Sequence, residues 1–295
     1  AALAGIRQLG LYGPVSVIRW NGHKLPYVYN LATLVVCEDL DAAPRAEAMR
    51  VLRPFGALVS KRDGKWQATF KPQLPGTDQW GQHFKGADNN AVAQDTVVGP
   101  PRRFQWVNTP EWQRSHLAMP SINSIISMNG RLFTVEDLAS VEHAALPGKQ
   151  ALVARDAHNG VRLWQVMFTD WYPSYTAVKS TPVQIQRRLA ASGDRVYCTP
   201  GYTEPITVFD AATGSVIKRH EKTAGTQEFL LDRDMIFAVT GNLVNPTNSL
   251  RLGKSLFPVE AYRPFIDSEK KSPNELMAVD ANSGQERWRL GANDM

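Results

Sequence analysis

Ala154-Arg-Asp156-Ala-His-Asn159-Gly160-Val-Arg-Leu-Trp164 is written twice more in this chain, as Val208-Phe-Asp210-Ala-Ala-Thr213-Gly214-Ser-Val-Ile-Lys218 and as Ala278-Val-Asp280-Ala-Asn-Ser283-Gly284-Gln-Glu-Arg-Trp288. In each copy a short apolar run ends in Asp, Gly follows four residues later, and a second strand-like run closes the unit. This pattern encodes a tight antiparallel hairpin. The Asp carboxylate accepts a backbone N–H of the turn, and Gly takes the left-handed conformation that closes a bulged connection. One copy would predict a surface turn, whereas three copies with matching flanks predict a repeat architecture.

Each copy has a strand ahead of it: Gly130-Arg-Leu-Phe-Thr-Val135, Gly193-Asp-Arg-Val-Tyr-Cys198 and Asp234-Met-Ile-Phe-Ala-Val239. Further apolar stretches precede these, at Ile122 to Met128, Arg188 to Ala191 and Phe229 to Leu231. Every unit thus offers about four short strands, and four-stranded units in series predict all-β propeller blades. The pattern resembles the repeat of quinoprotein-type β-propellers, the PQQ-like repeat. That resemblance assigns structural roles to Asp156, Gly160, Trp164, Asp210, Gly214, Asp280, Gly284 and Trp288, with the Trp packed between neighbouring blades. The second copy departs from the pattern, with Val208 for Ala and Lys218 for Trp. Three to four blades are expected over residues 121–295. Because propellers close with about four to eight blades, the propeller is expected to be incomplete and the chain to be a piece of a longer protein.

The 295 residues are 43% hydrophobic and 21% charged, the balance of a globular protein with a sizeable core. No stretch approaches the roughly 20 apolar residues that span a bilayer, so no membrane span is expected. Net charge is +5, but the basic residues fall in scattered pairs, Arg102-Arg103, Arg187-Arg188 and Lys270-Lys271. These are read as solvated blade surface, and no nucleic-acid partner is expected. Cys37 and Cys198 sit in separate apolar runs and are expected to be buried free thiols. They leave a periplasmic and a cytoplasmic location equally open.

Residues 1–70 follow a different pattern. Ala1 to Leu9 reads as a helix stopped by Gly10, followed by strands at Val15-Ser-Val-Ile18 and Leu34-Val-Val-Cys37, a helix opening at Pro44, and a strand at Ala57-Leu-Val-Ser60. Strand, helix and strand with continuous apolar strands predict a parallel, doubly wound α/β sheet. Val51-Leu-Arg-Pro-Phe-Gly56 and Trp20-Asn-Gly-His-Lys-Leu25-Pro26-Tyr27 resemble elements of class I S-adenosylmethionine-dependent methyltransferases. The resemblance implies a Rossmann-like half domain in which Trp20, Asn21, Gly22, Glu38 and Asp39 would line the cofactor, with the Asn21 amide oxygen taking the adenine amino group. The glycine-rich loop and ribose-binding acid of that family are absent from this sequence. S-adenosylmethionine is therefore expected only if a preceding half is present, and an isolated half sheet is expected to expose an edge and a face.

Residues 71–120 read as a linker at Pro72-Gln-Leu-Pro75-Gly76 and a lead-in containing Asp78-Gln-Trp80-Gly-Gln-His83, Asp88-Asn-Asn90-Ala-Val-Ala and Val98-Gly-Pro-Pro-Arg102-Arg-Phe-Gln-Trp106. The whole order resembles a planctomycete-type bacterial fusion of a methyltransferase-like domain with a quinoprotein-type propeller.

No catalytic residue is assigned. The repeat Asp residues are explained by their turns, and the vicinal Cys pair common beside a bound quinone is absent, so PQQ is not expected. His23, His83, His116, His143, His158 and His220 show no metal-ligand spacing; His83 and His116 are the better candidates for a site on the propeller face. No G-x-S-x-G accompanies a nucleophile. Trp80, Trp106, Trp112, Trp164, Trp171 and Trp288 are expected to pack between blades rather than form a ligand platform. The insertion at 238–275 is where binding specificity would reside. The sequence predicts a non-catalytic binding or scaffolding propeller with a protein or small-molecule ligand on its face. The alternatives are a methyltransferase and, third, a PQQ-dependent oxidoreductase.

Overall fold

The computed structural model describes residues 2–38, 44–109, 121–140, 142, 149–168, 183–241 and 274–291. The chain divides into two compact units, Ala1–Gln73 and Leu74–Met295.

In the first unit, helix α1 (Ala2–Gln8) buries no side chain and ends ahead of Gly10 at φ 67°. The expected strand at Val15 to Ile18 does not form. Val15 makes an isolated bridge with Tyr12, and Val15, Val17 and Ile18 are exposed. Apolar residues alone do not make a strand; its backbone groups need a neighbouring strand to bond, and none of the described strands pairs here. Strand β1 (Ala32–Cys37), helix α2 (Arg45–Val51) and strand β2 (Leu52–Arg62) do form the expected crossover, with β1 and β2 parallel. Asp63 and Gly64, both at positive φ, then turn the chain into β3 (Lys65–Phe70), which pairs antiparallel with β2. The sheet is mixed and three-stranded rather than wholly parallel.

Helix α2 covers one face of this sheet, where Ala48, Leu52 and Leu58 are buried against Val35 and Met49. On the opposite face Leu34 and Val36 are 55% and 59% exposed. The Lys71 ammonium donates to the Met49 and Leu52 carbonyls and to Asn30 Oδ1, each at 2.7 Å, tying the end of α2 to the sheet. Its partial burial lowers its pKa.

Among the described residues the second unit holds three four-stranded sheets, each hydrogen-bonded in chain order and antiparallel throughout. The first is β4 (Ile122–Met128), β5 (Arg131–Asp137), β6 (Gln150–Asp156) and β7 (Arg162–Met167). After the short helix α3 (Val183–Gln186), the second is β8 (Leu189–Ser192), β9 (Arg195–Cys198), β10 (Thr207–Asp210) and β11 (Val216–Arg219). The third is β12 (Thr226–Asp232), β13 (Met235–Thr240), β14 (Glu275–Asp280) and β15 (Glu286–Leu290).

The sheets stack face to face, and the two-residue period of a strand assigns the faces. In the second sheet Ala191, Val196, Cys198 and Phe209 join a core with Ile126, Phe133, Val135, Leu152 and Ala154 of the first. Their chain neighbours Ala190, Tyr197 and Val208 join a separate core with Phe229, Leu231, Ile236, Ala238, Met277 and Val279 of the third. Strands β4 and β8 also touch each other. Repeated meanders stacked in this way are the blade unit of β-propellers.

Candidate functional site

The three repeat turns form the same structure. Gly160, Gly214 and Gly284 sit at φ 74–75°, and each N–H donates to the carbonyl of the repeat Asp, at 2.9, 2.8 and 2.8 Å. Each Asp Oδ1 accepts turn N–H groups: that of His158 for Asp156, those of Ala212 and Thr213 for Asp210, and those of Asn282 and Ser283 for Asp280. These bonds, led by Thr213, hold Asp210 below the usual carboxylate range; those of Ser283 and Arg287 do the same for Asp280. The residue after each Asp donates its N–H to the β-turn before it: Ala157 to Gly130, Ala211 to Asp194, Ala281 to Asp234.

Each turn also seats a side chain from the preceding repeat or lead-in. The Trp106 indole lies on Gly160 and donates to the Ala157 carbonyl at 3.1 Å, and Trp164 lies on Gly214 and donates to Ala211 at 3.1 Å. Trp106 and Trp164 thus pack on these turns. At Gly284 the seat belongs to Lys218, which donates to the Asn282 and Ser283 carbonyls, and to His220. Trp112, Trp171, His116, His143, Asp39 and residues 242–273 of the insertion lie outside the described residues.

Residues Gln79–Asn89, from the segment expected as a linker and lead-in, form a strap across the first strands of all three sheets. Trp80 exchanges both backbone hydrogen bonds with Ser127 of β4, at 3.1 and 2.8 Å. Ala191 of β8 donates to Gly81 at 2.6 Å, and a Cβ at Gly81 would lie 2.8 Å from the Ala191 carbonyl, so only glycine lets the strap approach. The buried Gln82 amide then accepts from the Leu231 N–H at 2.9 Å and donates to the Leu231 carbonyl at 3.0 Å, bonding β12 as a strand neighbour would. Phe84 and Lys85 follow at φ 56° and 72°. Two adjacent non-glycine residues in the left-handed region store strain that the surrounding contacts hold in place. Asp78 anchors this bend, accepting from Gln94, Gln79 and the Lys85 ammonium, and these bonds lower its pKa.

Cavities of about 200 and 120 Å³ flank the strap. The smaller is chemically the more varied. Its polar side is the Arg187–Glu228 ion pair at 2.9 Å together with His83, and its floor is Leu230, Phe237, Val239 and Leu276. The Phe84 ring lies 4.0 Å from the His83 ring and 5.6 Å from the Arg187 guanidinium. Arg187 Nε is buried with no partner among the described residues. Partial burial, and then the Arg187 charge, depress the His83 pKa while Glu228 opposes them, so the imidazole is held neutral.

Of the residues tied to a cofactor by the methyltransferase resemblance, Trp20 is half-buried, its Nε1 without a partner among the described residues, Gly22 turns at φ 83°, and Glu38 is exposed at the end of β1. The Asn21 carboxamide oxygen accepts from the His23 N–H at 3.2 Å. The following Leu25-Pro26-Tyr27 is pinned to α2: Glu47 accepts from the Leu25 N–H, while Arg50 donates to the Leu25 and Tyr27 carbonyls. The Arg50 hydrogen bond pulls Glu47 down to about 2.

Two charge readings change. Arg188, expected in solvent, is 1% exposed, because β12 and the loop after β9 close on it: it donates to the Gln227 and Tyr202 carbonyls. Glu136 and Arg155, which the sequence did not single out, form a buried ion pair that also reaches the Thr109 carbonyl. Cys198 is buried, which pushes its thiol pKa up, and Cys37 is only half-buried; neither is in a disulfide. Among the described residues no group of three or more His, Cys, Asp or Glu stands where it could hold a metal, and no helix is long and apolar enough to cross a membrane.

No protein-family profile and no curated protein matches the chain. Among solved structures it is similar to a europium-containing methanol dehydrogenase (10% identity, TM-score 0.38, 72% of this chain and 32% of that one). It is also similar to the quinohemoprotein alcohol dehydrogenase of Comamonas testosteroni (11%, 0.32, 60% and 22%) and to BamB of Moraxella catarrhalis (11%, 0.22, 57% and 61%). The chain spans a third or less of the two dehydrogenases. The blade assignment rests on the strand pairing and packing described above.

Proposed function

We propose that this chain is a non-catalytic binding or scaffolding β-propeller of quinoprotein-like repeats, with its ligand site at the first strands beneath the strap. The observation that carries this reading is the strap itself. It holds three blades by their first strands, keeps two strained residues in place and leaves beside them a cavity with a charged pair, a neutral imidazole and an apolar floor. The repeat carboxylates serve their own turns, which favours scaffolding over metal-assisted chemistry. A small molecule bearing a polar or charged head and an apolar body suits this lining. The test is a ligand-observed NMR screen of such compounds against the full chain, with Phe84→Ala as control. Binding that weakens at least tenfold in the variant supports the reading; turnover of a bound compound that depends on His83 overturns it.

A second reading, a methyltransferase-like role for the first unit, is favoured by the β1–α2–β2 crossover and by the pinning of Leu25-Pro26-Tyr27 to α2. Calorimetric titration with S-adenosylhomocysteine tests it. Micromolar binding lost in Asn21→Ala supports it, and no heat overturns it.

A further inference from the structure

The hairpin that opens each sheet of the second unit turns through two residues, and the first of the two takes the same conformation every time. Asn129, Gly193 and Arg233 sit there at φ 50°, 57° and 50°. Asn and Gly tolerate this left-handed geometry, whereas an arginine adopts it at a cost. Arg233 lines the larger of the two cavities beside the strap, of about 200 Å³. So does Lys85, another cation in the left-handed region, at φ 72°. Both cations of the cavity wall are thus long side chains held in a conformation their residue types avoid, and strain of this kind clusters at ligand clamps.

The charge of the wall is one-sided. Among the described residues no carboxylate lines this cavity. Lys85 pairs with Asp78 at 3.2 Å, but that carboxylate also accepts from the Gln79 and Gln94 N–H groups. The Arg233 side chain is 89% exposed, and its ion-pair partner Asp232 stands 3.9 Å away. In the smaller cavity, by contrast, Arg187 is matched by Glu228 on the same wall. The rest of the larger cavity's wall includes the Ser192 hydroxyl and the apolar Met128, Ala191 and Leu231. We propose that this cavity is a second ligand site, for a small organic anion: a carboxylate held by Lys85 and Arg233, with an apolar body about one ring in size against Met128, Ala191 and Leu231. The volume suits such a molecule, since an apolar cavity of about 150 Å³ admits benzene and the additional room takes the head group. Ser192 adds a neutral donor to the two cations. The site differs from the smaller cavity in charge and does not rest on the reading of that cavity.

The test is a calorimetric titration of the full chain with benzoate, and with benzamide as its neutral isostere. Benzoate should bind about tenfold more tightly than benzamide, and raising NaCl from about 20 to about 200 mM should weaken it about threefold. Arg233→Asn installs the residue that the first sheet has in the same turn. It should weaken benzoate about fivefold and yet raise the Tm by about 2 °C, because the strain leaves with the charge. Arg233→Lys keeps both charge and strain, and should stay within about twofold of the parent in affinity. No binding of benzoate, equal affinity for benzoate and benzamide, or parental affinity in Arg233→Asn overturns the proposal. Weaker binding accompanied by a lower Tm in Arg233→Asn also overturns it, since Arg233 would then be a structural residue. So does a loss of benzoate in Arg187→Gln that Arg233→Asn does not share; the anion would then occupy the smaller cavity.

Discussion

Two junctions between blades do the same task with different chemistry. Between the first and second sheets, one indole fills the seat over Gly214 and donates one hydrogen bond. Between the second and third, that seat over Gly284 is divided between the Lys218 stem and the His220 ring, with the ammonium on two turn carbonyls. The indole carries no titrating group. The divided one buries an imidazole both of whose nitrogens lack a partner among the described residues, within reach of a cation. The turn geometry is common to both, so the repeat specifies a seat rather than its occupant.

Tightness of the seat separates the two most sharply. A Cβ at Gly214 would lie 2.6 Å from Trp164 Cε3, closer than real Cβ contacts come, whereas one at Gly284 would meet His220 Nδ1 at 3.1 Å and Lys218 Cε at 3.2 Å, which a shift of a few tenths of an ångström relieves. Both glycines carry the same positive φ, so the strain of an alanine there, about 1 kcal/mol, is shared. Gly214→Ala should therefore cost about 3 kcal/mol, overpacking included, and Gly284→Ala about 1 kcal/mol. Urea denaturation checks the ordering, and equal costs would break the comparison.

Importing the second junction's residue into the first is the next largest change. Trp164→Lys leaves Val166 where the other junction has His220, and Val166 already packs in the first core. Nothing then fills the remainder of the seat, and about 2 kcal/mol should be lost. Recovery of parental stability by Trp164→Lys alone would show that the imidazole adds nothing.

The repeat was legible because its signals are local: Asp, Gly and the second strand of each hairpin lie within a dozen residues. Which face of each strand meets which core was not read from the sequence, although the period of two orders it once the sheets are known. The strap was not legible, since its bonds reach from Trp80 to Ser127 and from Gln82 to Leu231, 47 and 149 residues away. Nothing in Gln82 announces that its amide will serve as a strand neighbour. For the same reason Arg187 and Arg188 read as surface charge, although one lines the cavity and the other is buried on the Gln227 and Tyr202 carbonyls. In the first unit the parallel crossover was visible in the apolar runs. The Asp63-Gly64 hairpin to β3 was not read from the sequence, and Val15 to Ile18 lacked the neighbour that makes an apolar run a strand.

Acid should act on the second junction. Burial chiefly, and then the Lys218 charge, push the His220 pKa below its ordinary 6.5, with Asp280 opposing. The unfolded chain then binds the proton more readily than the folded one. The stability linked to His220 is complete above about pH 6.5 and is lost as pH falls from there toward the depressed value. The Tm measured between pH 7.5 and 5 should fall more steeply in the parent than in His220→Gln, in which His83, its pKa also lowered by burial, is retained. Parallel profiles would remove His220 as the acid-sensitive element.

The smallest effect isolates the cation. Lys218→Met keeps the stem over Gly284 and removes the donations to Asn282 and Ser283, and near the surface such bonds contribute about 1 kcal/mol or less. Stability at pH 7.5 should therefore drop slightly. The acid sensitivity should shrink at the same time, because one of the two causes depressing His220 has gone and its folded pKa moves back toward the unfolded value. A variant less stable at neutral pH yet less sensitive to acid is a signature that lost packing alone does not produce. An unchanged acid slope would mean that burial by itself sets the His220 pKa and that the two occupants of the seat act independently.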